Sequence, residues 1–373
     1  MTMASHGITR RPVSAAQSAK AREQELLKIE QYNTLVAEVQ ALRASNTYTT
    51  ATLSTTATLL SQNPEFNTIW NYRRRIVLHL LTPMSADEKL KLLTSELAYL
   101  IPLLQSYPKC YWIWNYRIFL LQTCSEQLDV TTALIVWKGE MKLVDKMLGR
   151  DARNFHGWGY RRGVVGEIER LQGRISGEGG KGNVDASAGS LVEEEFQYTT
   201  AMYQKNLSNF SAWHNRSKLI PRLLDERNAN PEERRTFLDG ELGIMQEALF
   251  TDPYDQSLQL YHHWLISATC SPASSAGAKS GEIVRLTQSQ QLEILSRTLA
   301  WMRELLEEEP ECRLLLEELI FVSGLVRGHV AENNDPDTIS ADEVKSDMQS
   351  WLDKLMVVDP MRIGRWQELA ERL

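Results

Sequence analysis

The chain reads as an all-α protein, a right-handed superhelical solenoid built from helical hairpins. Three observations predict it. A short motif recurs at a period in the 40s of residues. Each copy follows an apolar segment of helical period, and every strong period in the chain is helical. A fixed repeat of this length is the mark of stacked supersecondary units, none of which buries its apolar face alone.

The motif is Pro, five residues, Trp, two residues, Arg. It runs as Pro64/Trp70/Arg73, Pro108/Trp114/Arg117, Ala152/Trp158/Arg161 and Leu207/Trp213/Arg216, with Trp-to-Trp spacings of 44, 44 and 55 residues. A fifth copy keeps Pro253 but places Gln259 and His262 in the Trp and Arg slots. Two fainter echoes follow, at Glu309-Pro310 and at Asp359-Pro360 with Trp366.

In chain order, residues 1–19 are expected to be disordered, and 20–373 to form one helical-repeat domain. An amphipathic helix over 20–43 presents Ile29, Tyr32, Val36, Val39 and Leu42 on one face. In the second hairpin Leu93, Leu97, Leu100, Ile101 and Leu104 line one side. Leu238, Leu242, Met245 and Leu249 repeat the theme in the fifth, and Trp351, Leu352, Leu355 and Met356 in the last. Asx-Pro then closes the first helix, because Pro disfavours the α conformation in the residue before it. Pro also opens the second helix, whose early turns carry the Trp and Arg. At ~1.5 Å rise per residue, one repeat holds two helices of about 15 residues plus turns. Six or seven hairpins result. Gly/Ser-rich stretches at 172–190 and 271–282 read as flexible insertions, the first explaining the longer spacing.

Composition narrows the function. The 373 residues are 43% hydrophobic with a net charge of −7, a poor balance for a nucleic-acid partner. No run of 18 apolar residues and no apolar leader occur, so no membrane span is expected and the reading places the protein in the cytoplasm. Four scattered cysteines make neither a disulfide framework nor a zinc site. His156, His214, His262 and His263 fall in three different repeats without an HExxH pattern, so no metal site is expected in this chain. The run GEGGKG lacks the preceding strand and the Ser or Thr that a phosphate loop needs. Trp70, Trp114, Trp158 and Trp213 are expected to be repeat scaffold, since one bulky ring recurs per hairpin. The repeated Arg has three open readings: binding a carboxylate, capping the next hairpin, or facing a ligand.

These residues carry a resemblance. Hairpins with Pro, an aromatic, Trp and Arg in this register resemble the α subunit of the protein prenyltransferases, over Asn63 to Trp264. The stretch PKCYWIWNYR looks like the family's second repeat, carried by Pro108, Lys109, Tyr111, Trp114 and Arg117. RNFHGWGYRR (Arg153 to Arg162), DPYDQS and VDPMR are similar to the Rab geranylgeranyltransferase (type II) version in particular. The chain's length resembles the fungal form, without the immunoglobulin-like and leucine-rich domains of animal members.

The resemblance implies a transferase active only as a heterodimer. Its β subunit holds the catalytic zinc and the isoprenoid pocket, and geranylgeranyl passes from geranylgeranyl diphosphate to C-terminal cysteines of Rab GTPases brought by an escort protein. It also implies that this chain lends a cation to the departing diphosphate. Lys109 is then the catalytic candidate. Arg153, Tyr111, His156, Arg117 and Arg161 are candidates for the diphosphate or the β interface. His6 corresponds to a His that can reach the β-subunit zinc, although five residues precede it here. Two alternatives stay open. One is the α subunit shared by farnesyltransferase and the type I enzyme. The other is a non-catalytic tetratricopeptide-like scaffold, whose usual period of about 34 residues fits less well.

Overall fold

A computed structural model describes residues 15–178, 190–270, 283–333 and 340–373. Among the described residues there are fifteen α-helices and no strand. Contacts divide the chain into two compact units. One holds the chain up to Arg150 together with His156–Glu178; the other holds Asp151–Phe155 and the chain from Gly179 onward.

The first unit contains α1 (Ala15–Ala44), α2 (Thr50–Gln62), α3 (Asn67–Leu81), α4 (Ala86–Ser106), α5 (Tyr111–Gln127), α6 (Val130–Arg150) and nearly all of α7 (Phe155–Glu178). The second contains α8 (Val192–Lys205), α9 (Phe210–Glu226), α10 (Pro231–Thr251), α11 (Gln256–Cys270), α12 (Gln288–Glu308), α13 (Arg313–Asn333), α14 (Ala341–Val358) and α15 (Ile363–Glu371). From α2 onward the helices pair into seven hairpins, the upper end of the expected range.

Two boundaries differ from expectation. Helix α1 begins at Ala15, five residues before the expected start. Helix α7 continues to Glu178; Val164, Ile168 and Leu171 form its buried face, and the turns beyond Leu171 extend it with Ile175 exposed. Residues 179–189 of the first insertion, all of the second, and residues 1–14 with His6 lie outside the described residues.

Helix starts follow local chemistry. Ser85 with Glu88, Asn230 with Glu233, and Thr287 with Gln290 form reciprocal capping boxes at α4, α10 and α12. The turn inside each hairpin is also the same. The carbonyls of Asn63, Tyr107, Asp151, Asn206, Asp252, Glu309 and Asp359 each accept the backbone N–H three residues on. At Asn63, Asp151 and Asn206 the side-chain oxygen also accepts the N–H two residues on, an Asx turn.

One bonding pattern repeats inside the stack. The indole N–H of Trp70, Trp114 and Trp213 donates to the carbonyl of Pro64, Pro108 and Leu207, at 2.7–2.9 Å. The Arg one turn later makes a two-pronged ion pair with a buried Glu on the next hairpin. These pairs are Arg73 with Glu96, Arg117 with Glu140, and Arg216 with Glu241. The same Glu accepts the hydroxyl of Tyr116, Tyr160 or Tyr261 at 2.5–2.9 Å. Each carboxylate thus stitches two consecutive hairpins together, and its guanidinium, although buried, is fully engaged.

The fifth hairpin keeps both bonds with other side chains. Gln259 Nε2 donates to the Pro253 carbonyl in place of an indole, at 3.4 Å. His262 takes the arginine's place and meets Glu318 at 2.8 Å, while His263 meets the other oxygen at 2.9 Å.

Candidate functional site: the hairpin turns

The three arginines of NYRRR separate by depth. Arg73 is buried in the inter-hairpin lock. Arg74 is half-buried and donates to Asn71 and Asn115. Arg75 is exposed, its guanidinium 5.7 Å from the centre of the Tyr72 ring and 5.9 Å from that of Tyr48.

Two of the candidate arginines change role. Arg117 is 3% exposed and bonded through three nitrogens to Glu140 and the Leu97 carbonyl. Arg161 is 4% exposed and pairs with Asp145. Neither guanidinium presents surface to a diphosphate or a partner, so both are packing residues, as Arg73 and Arg216 are. Trp70, Trp114, Trp158 and Trp213 are all buried.

The remaining candidates lie at turns. Lys109 is exposed one residue after Pro108, in the turn that leads into α5. Tyr111 opens α5, is 54% exposed, and its ring lies 6.0 Å from that of His156, edge-on. Burial lowers the His156 pKa, and a hydrogen bond with the Lys109 backbone opposes it. Lys109, Tyr111 and His156 therefore form one local group in the first unit. Arg153 belongs to the second unit, is exposed, and donates its N–H to Asp151 Oδ1 at 3.2 Å.

The position of Lys109 and Arg153 is informative because the scaffold does not need a cation there. Equivalent turn positions hold Glu65, Ser208, Tyr254, Glu311 and Met361. Lys and Arg occupy it in two adjacent hairpins only. Both precede a helix N-terminus, whose dipole adds to the attraction for an anion.

The thiols are inert. All four cysteines are buried, and burial pushes Cys124 up to about 12 and Cys270 up to about 11. Cys110 and Cys312 spend their S–H groups on the carbonyls of Pro64 and Pro253. Among the described residues no group of three or more His, Cys, Asp or Glu could hold a metal ion, and no helix is long and apolar enough to cross a membrane.

The protein prenyltransferase alpha subunit repeat matches residues 50–80, 93–124, 137–168 and 192–223, the four hairpins that carry both Trp and Arg. The geranylgeranyl transferase type-2 subunit alpha of Schizosaccharomyces pombe is 36% identical over 375 aligned residues, 99% of this chain and 98% of that protein. The chain belongs to the type-2 geranylgeranyl transferase alpha-subunit family. The Candida albicans relative of the same name is 32% identical over 97% of this chain and 96% of its own. The rat relative is 33% identical over 70% of this chain, which spans 41% of that longer protein. A chain of Candida albicans protein geranylgeranyltransferase-I complexed with GGPP has the same fold, with a TM-score of 0.59 at 17% identity over 92% of this chain and 90% of that one. The tetratricopeptide alternative is thereby set aside.

Glu96, Glu140, Glu241 and Glu318 are the residues that sequence reasoning missed. A signal was present: the partner lies 23 residues after Arg73 and Arg117, and 25 after Arg216.

The fifth lock predicts a pH dependence. The bond from Glu318 raises the His263 pKa above its ordinary 6.5. Burial pushes the Glu318 carboxyl up, but bonds from His262 and His263 outweigh it and hold the carboxyl below 4.5. The His contribution is complete below about 6.5 and is lost as pH rises through the raised value. The Glu contribution is complete above about 4.5 and is lost as pH falls through the lowered one. Thermal melts of the protein should therefore show Tm falling as pH rises above about 6.5 by more than in Glu318→Gln. Equal slopes in both would remove His263 from the lock.

Proposed function

We propose that this chain is the α subunit of a heterodimeric type-2 protein geranylgeranyltransferase, inactive without its β subunit. The observation that carries the reading is kinship along almost the whole chain with proteins of that name. The reaction forms a thioether between geranylgeranyl, taken from its diphosphate, and C-terminal cysteines of a Rab GTPase presented by an escort protein in the cytosol.

The chemistry divides between the subunits. The acceptor thiol must be a thiolate, and the departing diphosphate accumulates charge. Zinc on the β subunit, when bound, supplies the first need. The buried, high-pKa cysteines of this chain are unsuited to it. Lys109 supplies the second as an exposed ammonium at a helix start, and Arg153 is a second cation at the equivalent turn. His156 bonds the Lys109 backbone, and the Tyr111 ring stands edge-on against His156. Exposed aromatics at the start of the second helix, Tyr111, Phe155 and Phe210, suit burial against β.

Lys109→Ala, purified with β, should lose about 3 kcal/mol of transition-state stabilisation, about a hundredfold in turnover. The heterodimer should remain intact by gel filtration. Unchanged turnover together with unchanged affinity for geranylgeranyl diphosphate would leave Lys109 as a solvated turn residue.

A further inference from the structure

The second unit contains a cleft of about 720 Å³ between α11, α13 and α15, far down the chain from the turns that carry Lys109 and Arg153. That volume is typical of a site for a small organic molecule. Its floor is apolar, formed by Leu260, Leu314, Phe321 and Trp366. Its rim is cationic, with Arg313, Arg362 and Arg365 beside His263.

The charges at the rim do not cancel. Glu317 is shared between Arg313 and Arg362, and Arg362 also holds Asp359 at 2.7 Å. Glu318 is occupied by the two histidines. Arg365 is exposed and, among the described residues, no carboxylate stands within ion-pair distance of it. Its guanidinium instead lies 4.9 Å from the centre of the Trp366 ring, which Arg362 also approaches at 5.6 Å. Two cations over one indole, above an apolar floor, form a surface that neutralises a negative head while covering a greasy body. Trp366 is 1% exposed and its indole N–H has no acceptor among the described residues, unlike Trp70, Trp114 and Trp213.

The geometry points to a binding site for an amphiphilic organic anion, one apolar chain or ring system with a single anionic head. The head sits between Arg365 and Arg362, and the body lies along Leu260, Leu314 and Phe321. None of the residues proposed for prenyl transfer lines this cleft.

The test uses the heterodimer and the fluorescent anion anilinonaphthalene sulfonate. Two variants address the site independently. Arg365→Glu reverses the unpaired charge at an exposed position. Gly324→Leu fills the cleft from its wall, where an added Cβ meets nothing within 4 Å. The wild type should show a saturable component that both variants weaken at least about tenfold, with transfer turnover unchanged. Decanoate and decyl phosphate should displace it, and decyltrimethylammonium should not. Titrations identical to wild type in either variant, or displacement by the cation as readily as by the anions, would overturn the assignment.

Discussion

Glu140→Ala should destabilise the protein by about 3–5 kcal/mol, although it removes no apolar packing and touches no proposed catalytic group. The intact pair is worth little net, because burying two charges costs nearly what their attraction returns. Removing one partner is different. Arg117, 3% exposed, would keep its charge in the stack with no carboxylate, only the neutral Leu97 carbonyl and Tyr160 hydroxyl left to bond. The Tyr160 hydroxyl would lose its acceptor as well. Denaturant unfolding of the heterodimer checks the magnitude. Arg117→Met combined with Glu140→Leu should recover most of the loss, since the orphaned charge is then gone. A single Glu140→Ala variant as stable as wild type would mean that the carboxylate is not the stitch between these hairpins.

Trp70→Ala should cost a similar amount, roughly 3–5 kcal/mol, by a different route. The ring is fully buried, 4.9 Å from the centre of the Tyr116 ring, and its N–H is bonded to the Pro64 carbonyl. Truncation opens a cavity between two hairpins that rigid helices close only in part. The transfer rate per folded heterodimer should change little, because Trp70 lies one repeat before Lys109. Thermal melts and steady-state kinetics on the same preparation separate the two effects. A stable Trp70→Ala protein with impaired turnover would reverse the roles assigned to Trp and Lys.

The hairpins were legible because Trp, Arg and Pro recur in register, and repetition makes a weak local signal strong. The acids were not legible. An isolated Glu on an amphipathic helix reads as solvent-facing, and only the position of the previous Arg reveals that Glu96 and Glu140 are inside. The fifth hairpin looked like a departure from the motif. Gln259 and His262 nevertheless preserve both bonds, because an amide N–H replaces an indole N–H and an imidazole replaces a guanidinium.

The repeated Arg left three readings open, and the resemblance put Arg117 and Arg161 among the diphosphate or β-interface candidates. Their register, three residues after a buried Trp, points inward as it does for Arg73 and Arg216. Lys109 and Arg153 precede the Trp instead and face outward. Helix ends were the least legible: α7 runs into the glycine-bearing stretch, past Leu171, the last buried apolar residue of its face. Local composition suggested a linker there, and the helix runs on to Glu178.

The central claim is that this chain completes a geranylgeranyltransferase whose zinc and isoprenoid pocket lie on another subunit. Reconstitution from separately purified subunits tests it most directly. Transfer of geranylgeranyl to a Rab GTPase bound to its escort protein would be followed with the chain alone, with β alone, and with both. The account predicts transfer only with both, and a tight one-to-one complex. Equal transfer by β in the absence of this chain would contradict it.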